Sequence, residues 1–287
     1  MRCSRCSSAS FGFEVEMAGE KQVSGGGGGP RPALSLRNVE CRYGDFVVMR
    51  DITFDVMPGE IFFIGGGSGC GKSTLLKNII GLVPPASGEV LFFGRKANGV
   101  SEEEMREIQA EFGVLYQSGA LWSSMTLAEN VELPLELYTD LGAEARRALA
   151  RMKLAQVGLA GAENKYPSEI SGGMKKRAGL ARALALDPRV VFFDEPQAGL
   201  DPLSSLQLDR LIRELRDTLG MTMVIVSHEL DSIFGIADRI LILDREERTM
   251  VALGHPRALL QAGDVHPRVR EFLSRGGERG AEWGNVL

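Results

Sequence analysis

The stretch Gly66-Gly67-Ser68-Gly69-Cys70-Gly71-Lys72-Ser73-Thr74 sets glycines, one lysine and adjacent hydroxyls in the spacing G-x-x-x-x-G-K-[ST]. Glycines let a backbone curl until successive N–H groups point inward. A helix N-terminus behind them adds positive potential, so the stretch suits a row of phosphates. Lys72 would reach the β- and γ-phosphates and Ser73 would ligate Mg²⁺. A glycine-rich turn that happens to hold a lysine is the plain alternative. The apolar run Ile61–Ile64 before it and the helical Leu75–Ile80 after it supply the strand–loop–helix context of a phosphate-binding P-loop. Binding of a nucleoside triphosphate follows.

Hydrolysis needs acids as well. Arg189-Val190-Val191-Phe192-Phe193-Asp194-Glu195 is an apolar run ending in two carboxylates. One acid can hold Mg²⁺, usually through water, and the second can orient and deprotonate the attacking water; the alternative is an acidic strand end that caps a neighbouring helix. Ser171-Gly172-Gly173-Met174-Lys175-Lys176-Arg177 precedes a helix expected over Ala178–Leu186, with Ser171 as N-cap and two glycines exposing N–H groups. That is a second anion site. One P-loop has no internal use for two γ-phosphate cradles, so this one is expected to serve the nucleotide of another subunit. Its basic residues could otherwise mark a solvated helix face or a membrane-surface helix.

The elements that must position these residues follow from periodicity. Leu34–Val39 alternates as a half-buried strand, and with Val47-Val48 and Ile52–Val56 it reads as an antiparallel sheet leading into the P-loop strand. Tyr43-Gly44 falls in one of its turns, where Tyr43 could stack on a base or simply pack. Glu89–Phe93 returns as strand, and Gly113–Tyr116 is a buried strand with Gln117 at its end. Ser101–Glu104 and Thr126–Glu129 match the capping box and should each start a helix. From Thr126 to Leu186 the pattern is mostly helical, including a long helix near Ala143–Val157, as an insertion into an α/β chain. The alternation then resumes: helix Ser204–Leu219, strand Met221–Val226, Ser227-His228-Glu229, a helix to Ala237, strand Arg239–Leu243, a hairpin at Arg248–Gly254, and short helices. Strands buried on both faces suit a parallel sheet, whose carboxyl edge binds ligands.

With 287 residues, 44% hydrophobic and 25% charged, the chain has an ordinary globular balance. A net charge of −5 argues against a broad basic face, so nucleic acid is not an expected partner. No apolar run has bilayer-spanning length, so work at a membrane would need a partner. Four scattered cysteines suggest a reducing compartment, and Cys3 and Cys6 lack the ligands to complete a zinc site. Residues 1–32 read as an unstructured leader and Gly-rich linker (Gly25–Gly29, Pro30, Pro32), with Met17 a possible start. In Val265–Leu287, Phe272, Leu273, Trp283 and Val286 sit among Gly276, Gly277 and Gly280. That segment reads as too flexible for a compact unit, either frayed or a tether across a dimer.

Taken together and in order, Tyr43, Gly66–Ser73, Gln117, Ser171–Met174, Asp194-Glu195, Ala198-Gly199-Leu200-Asp201 and His228 resemble the nucleotide-binding subunit of an ATP-binding cassette (ABC) transporter, over about Leu34–Leu253. The resemblance implies a P-loop NTPase (RecA-like) α/β core with an antiparallel β subdomain and an α-helical subdomain. The ATPase domain would span 33–254, its helical part about 118–186, and 255–287 would be a C-terminal extension. It implies that Tyr43 stacks on adenine, that residues 66–74 hold phosphates, and that Ser73, Gln117 and Asp194 attend Mg²⁺. Gln117 would sense the γ-phosphate, Glu195 would be the general base and His228 would position the γ-phosphate. Ser171, Gly172 and Gly173 would meet ATP across a head-to-tail dimer, and Asp201 would link the two sites. Ile170, Met174 and Gln197 depart from the residues usual there.

Gln117–Leu121, Tyr166–Ala178 and His266–Leu273 further resemble Mla-type ATPases, which drive lipid traffic through MCE-domain complexes. That resemblance implies phospholipid transport with an integral-membrane permease, an MCE-domain protein and a STAS-domain protein, the subunit lying peripherally on the cytoplasmic face of the inner membrane. Trp122–Met125 would help grip the permease, unless Trp122 belongs to the helical core. Lipoprotein or amino-acid transport, or a soluble ABC ATPase outside transport, are the alternatives.

Overall fold

Residues of alternating and of continuous hydrophobicity build two different sheets in the computed structural model, which describes residues 31–280, with side chains as far as Ser274. The expected leader lies outside the described residues except for its last two positions, as do Trp283 and Val286. Strands β1 (Leu34–Tyr43), β2 (Phe46–Val56), β4 (Ser87–Phe92) and β5 (Arg95–Lys96) form an antiparallel sheet in the order β2-β1-β4-β5. The second sheet runs β10-β9-β3-β8-β7-β6, from β3 (Ile61–Gly66), β6 (Phe112–Leu115), β7 (Val190–Asp194), β8 (Thr222–Val226), β9 (Arg239–Asp244) and β10 (Thr249–Gly254). All its pairings are parallel except β9 with β10.

Period-two alternation divides the central strands between two cores. Phe62, Ile64, Phe192, Val224 and Leu241 face the antiparallel sheet and helix α1 (Lys72–Ile79), where Phe54 stacks on Phe62 at 5.1 Å. Phe63, Phe193, Ile225 and Ile240 face the helical side. That side carries α3 (Leu127–Tyr138), α4 (Ala143–Gln156), α5 (Gly172–Ala183), α6 (Pro202–Leu219), α7 (Leu230–Ile236), α8 (Pro256–Gln261) and α9 (Pro267–Gly280), while α2 (Glu102–Ala110) precedes β6. Both capping boxes form. Glu104 N donates to Ser101 Oγ at 3.3 Å and Ser101 N to Glu104 at 2.9 Å, and Thr126 and Glu129 repeat the pair at 3.3 and 2.7 Å. These bonds, made first by the backbone N–H, hold both glutamates below the usual carboxylate range.

Three expectations are corrected. The hairpin is not within Arg248–Gly254: β10 is its second strand and β9 its first, because the left-handed Arg248 (φ 56°) ends the turn that follows Asp244. Helix α5 starts at Gly172, directly after its cap Ser171, rather than at Ala178. The tail does pack as far as it is described. Helix α9 runs through Gly276 and Gly277, Val269 and Leu273 are fully buried, and Phe272 joins them at the spacing of one helical face. A Cβ on Gly65 would stand 3.3 Å from the Phe272 ring, so α9 lies directly on the strand that feeds the P-loop. Leu273→Ala should therefore cost about 2–5 kcal/mol. The measurement is the urea midpoint at unchanged m-value; an unmoved midpoint would show that α9 adds nothing to this core.

Candidate functional site

Four loops leave the carboxyl edge of the parallel strands side by side. Register places them there: Ile64 pairs with Val226, Asp194 with Val226, and Leu115 with Phe193. The P-loop after β3, Gln117 after β6, Asp194-Glu195 at the end of β7 and His228 after β8 thus share one rim, where open α/β sheets take ligands.

The P-loop backbone needs its glycines at two points. Gly66 has φ 140° and a Cβ there would stand 2.5 Å from the Leu243 carbonyl; Gly71 has φ 100° and a Cβ would stand 3.0 Å from both Val48 and Met49. The second contact brings the β1–β2 hairpin against the loop, with Tyr43 half exposed near its tip. Gly67, Ser68 and Gly69 are exposed, Thr74 is half-buried, and Cys70 is buried beneath the loop, where burial raises its thiol pKa. Lys72 is 8% exposed and its Nζ donates to the carbonyls of Gly66 at 2.9 Å and Gly67 at 3.2 Å. Helix α1 has no side-chain N-cap and no acid in its first turn, which leaves its N-terminal potential for an anion.

Ser73 Oγ donates to Asp194 Oδ1 at 3.3 Å, so a hydroxyl and a carboxylate oxygen, the hard ligands Mg²⁺ prefers, stand together. Burial pushes the Asp194 carboxyl up, and the Ser73 bond opposes it. Glu195 is held in the left-handed region at φ 47° while its N–H donates to Val226 O at 2.8 Å. His228 Nδ1 lies 3.0 and 2.9 Å from its two carboxylate oxygens. An imidazole thus orients the carboxylate from the neighbouring loop.

Ser171, Gly172 and Gly173 lie elsewhere. Ser171 caps α5, accepting from Met174 N at 3.3 Å, and no hydrogen bond among the described residues joins this turn to the P-loop. It shares a hollow of about 170 Å³ with Leu200 and Ser204. Next to that hollow, Asp201 caps α6, accepting from Leu203 N and Ser204 N at 3.1 and 3.0 Å. The Ser204 hydroxyl and N–H lower its carboxyl pKa. The chain therefore carries two anion-suited surfaces that it does not itself bring together.

Several buried polar residues escaped the sequence reading. Lys176, read there as part of a basic run, is 5% exposed and reaches the rim. Its place on the face of Gly179, Leu180 and Ala183 was the available signal. Gln197 is also buried. Its Nε2 donates to Asp209 Oδ1 at 2.8 Å, and Ser232 Oγ donates to Oδ2 at 2.6 Å, tying the segment after Glu195 to α6 and α7; burial raises the Asp209 carboxyl pKa. Trp122 is 58% exposed and so is not a core residue of the helical block. The turn that carries it is braced by fully buried Asn130. That side chain accepts from Trp122 N at 2.8 Å and donates to the carbonyls of Trp122 and Thr126 at 3.1 and 2.9 Å.

The sequence profile described as ABC transporter matches residues 49–198. The intermembrane phospholipid transport system ATP-binding protein MlaF of Escherichia coli K12 is 41% identical over 240 residues, 84% of this chain and 88% of that one. The probable ribonucleotide transport ATP-binding protein mkl of Mycobacterium leprae is 40% identical over 252 residues, 87% of this chain and 72% of that one. Among solved structures, a dimeric ATP-binding cassette in a post-hydrolysis state with ADP and Pi aligns with a TM-score of 0.70 at 30% identity, covering 77% of this chain and 98% of that one. The cbiO1 subunit of Clostridium perfringens aligns with a TM-score of 0.74 at 26% identity, covering 88% and 98%.

Proposed function

We propose, for a chain that belongs to the ABC transporter family as its ATP-hydrolysing subunit, that the work it powers is phospholipid movement of the Mla type. The observation that carries this is the 41% identity to a phospholipid-transport ATPase along 88% of that protein's length. In this reading two copies close head to tail on ATP, at the cytoplasmic face of the inner membrane. Each docks on an integral-membrane permease that works with an MCE-domain lipid carrier and a STAS-domain protein.

The residues divide the work between binding and hydrolysis. Tyr43 stacks on adenine. The N–H groups of residues 66–74 surround the phosphates, and Lys72 turns its ammonium from the Gly66 and Gly67 carbonyls to the β- and γ-oxygens. Ser73 and Asp194, with Gln117, would hold Mg²⁺, which when bound offsets phosphate charge. Glu195 orients the attacking water and takes its proton, and His228 fixes the carboxylate and faces the γ-phosphate. Ser171, Gly172 and Gly173 of one copy present a helix N-terminus to the ATP of the other, and Asp201 sits where the copies meet. The separation of the two anion-suited surfaces on one chain supports the sandwich.

The exposed Trp122, with Met125 beside it on a braced turn, supports a permease contact, since aromatic and Met side chains are enriched at interface cores. A groove of about 320 Å³ between α3 and β6, lined by Leu82, Tyr116, Leu137, Tyr138 and Arg182, supports the same contact as a seat for a protruding permease helix. The test is reconstitution of the full-length chain with its co-purifying permease. We expect an MCE-domain protein in the complex and ATP-dependent phospholipid transfer to acceptor vesicles. Trp122→Ala with Met125→Ala should cut transfer about tenfold while nucleotide affinity stays unchanged, as for loss of interface anchors. Copurification with a ribonucleotide or amino-acid permease, or transfer indifferent to Lys72→Ala, would replace the phospholipid reading.

A further inference from the structure

Lys176 touches two loops that the mechanism uses for different purposes. Its ammonium donates to the main-chain oxygen of Gln117 and, at 3.3 Å, to that of Glu195. A buried ammonium is costly unless it finds acceptors, and here two of its three N–H groups go to loop carbonyls. The bonds therefore fix backbone. The Glu195 peptide needs fixing, because φ 47° is a conformation a non-glycine residue holds only at a cost.

The rest of α5 is packed onto the same loop. Arg182 donates to the carbonyls of Ala120 at 2.8 Å and Gly119 at 3.1 Å. A Cβ on Gly119 would stand 2.9 Å from Lys175 O, and one on Gly179 would stand 2.9 Å from Gly119 O. Helix and loop are in backbone contact, and Lys176 links that packed pair to Glu195. Burial lowers the pKa of its ammonium, and the charges of Asp194 and Glu195 pull it back up.

We propose that Lys176 is a positioning residue that locks the Gln117 loop and the Glu195 peptide to α5, so that the helix facing the partner's nucleotide and the base of its own site take up the active geometry together. The proposal rests on the roles given above to Gln117 and Glu195.

The test is ATP hydrolysis by the full-length protein with Lys176→Met, Lys176→Gln and Glu195→Gln, with fluorescent-nucleotide affinity and melting measured alongside. Methionine keeps the stem and removes the donors, so kcat should fall by about 10²-fold, the scale of a misplacement near 1 Å, while KM and affinity stay within about twofold. Glutamine is one bond shorter and still donates to one carbonyl, so its kcat should lie between those of the Met variant and wild type, about tenfold below wild type. If the Met variant does not fold, the Gln variant decides. A lower kcat at unchanged KM supports the lock, and wild-type kcat overturns it. A Met variant with wild-type kcat, a loss shared equally by affinity and melting, or a Gln variant no better than Met would also overturn it. Normal turnover in Glu195→Gln would remove the base and this proposal with it, whereas loss there beside normal turnover in Lys176→Met removes the proposal alone.

Discussion

Glu195→Gln should bind MgATP, remain a dimer on it, and hydrolyse it about 10²- to 10⁴-fold more slowly than wild type, the range typical for a lost general base. The amide keeps the shape of the carboxylate, and His228, 2.9 Å from one of its oxygens, can still hold it in place. Only the capacity to take a proton is gone. Because hydrolysis is what separates the copies in this reading, the slow variant should accumulate as dimer. Steady-state turnover and light scattering read the two effects separately. An equal monomer fraction with and without ATP in this variant would count against the sandwich, and normal turnover would move the base elsewhere.

A comparable loss is expected of Lys72→Ala and of Ser171→Arg alone, for unlike reasons. Removing the Lys72 ammonium deletes charge from a transition state stabilised mainly by electrostatics, worth about 10²–10³ in kcat for a single well-placed donor. Arginine at Ser171 puts bulk where another molecule's phosphate should sit and leaves its own P-loop intact, because Ser171 and the P-loop share no hydrogen bond among the described residues. Mixing the two inactive proteins should therefore restore one composite site per mixed dimer, with the activity of each mixed dimer returning toward half that of a wild-type dimer. Complete absence of restored nucleotide occlusion would mean that both motifs act on the same chain's nucleotide.

Residue type alone carried much of the fold. Ile61–Ile64 and Val190–Phe193 are apolar without alternation, as strands buried on both faces must be, and Ser101 and Thr126 announce helix starts through the glutamates three places on. The rim residues were legible because glycine, lysine and carboxylate at strand ends have few other uses in combination. What misled was local composition read without its period. Gly276 and Gly277 suggested a loose tail, yet Val269, Phe272 and Leu273 recur at three and four, the stripe of a docked helix. Lys176 was lost in a basic run, although its spacing to Gly179 and Leu180 put it on the buried side of α5. Asn130, next to the capping box at Thr126, gave no pattern at all. Its value lies in four contacts with residues 122–126 that exist only after the turn has closed.

The place of β3 bears on how the protein is made. Its neighbours in the sheet are β8 and β9, whose first residues are Thr222 and Arg239, whereas β1 pairs with the strand directly after it. Strand pairs so distant along the chain close slowly, since a long loop must be ordered before any hydrogen bond rewards it. On a growing chain the antiparallel sheet can form early, but the strand beneath the P-loop keeps an unpaired edge until residue 244 has been synthesised. Phe62, Phe63 and Ile64, fully buried in the finished protein, wait on that edge as a surface on which nascent chains can stick to one another.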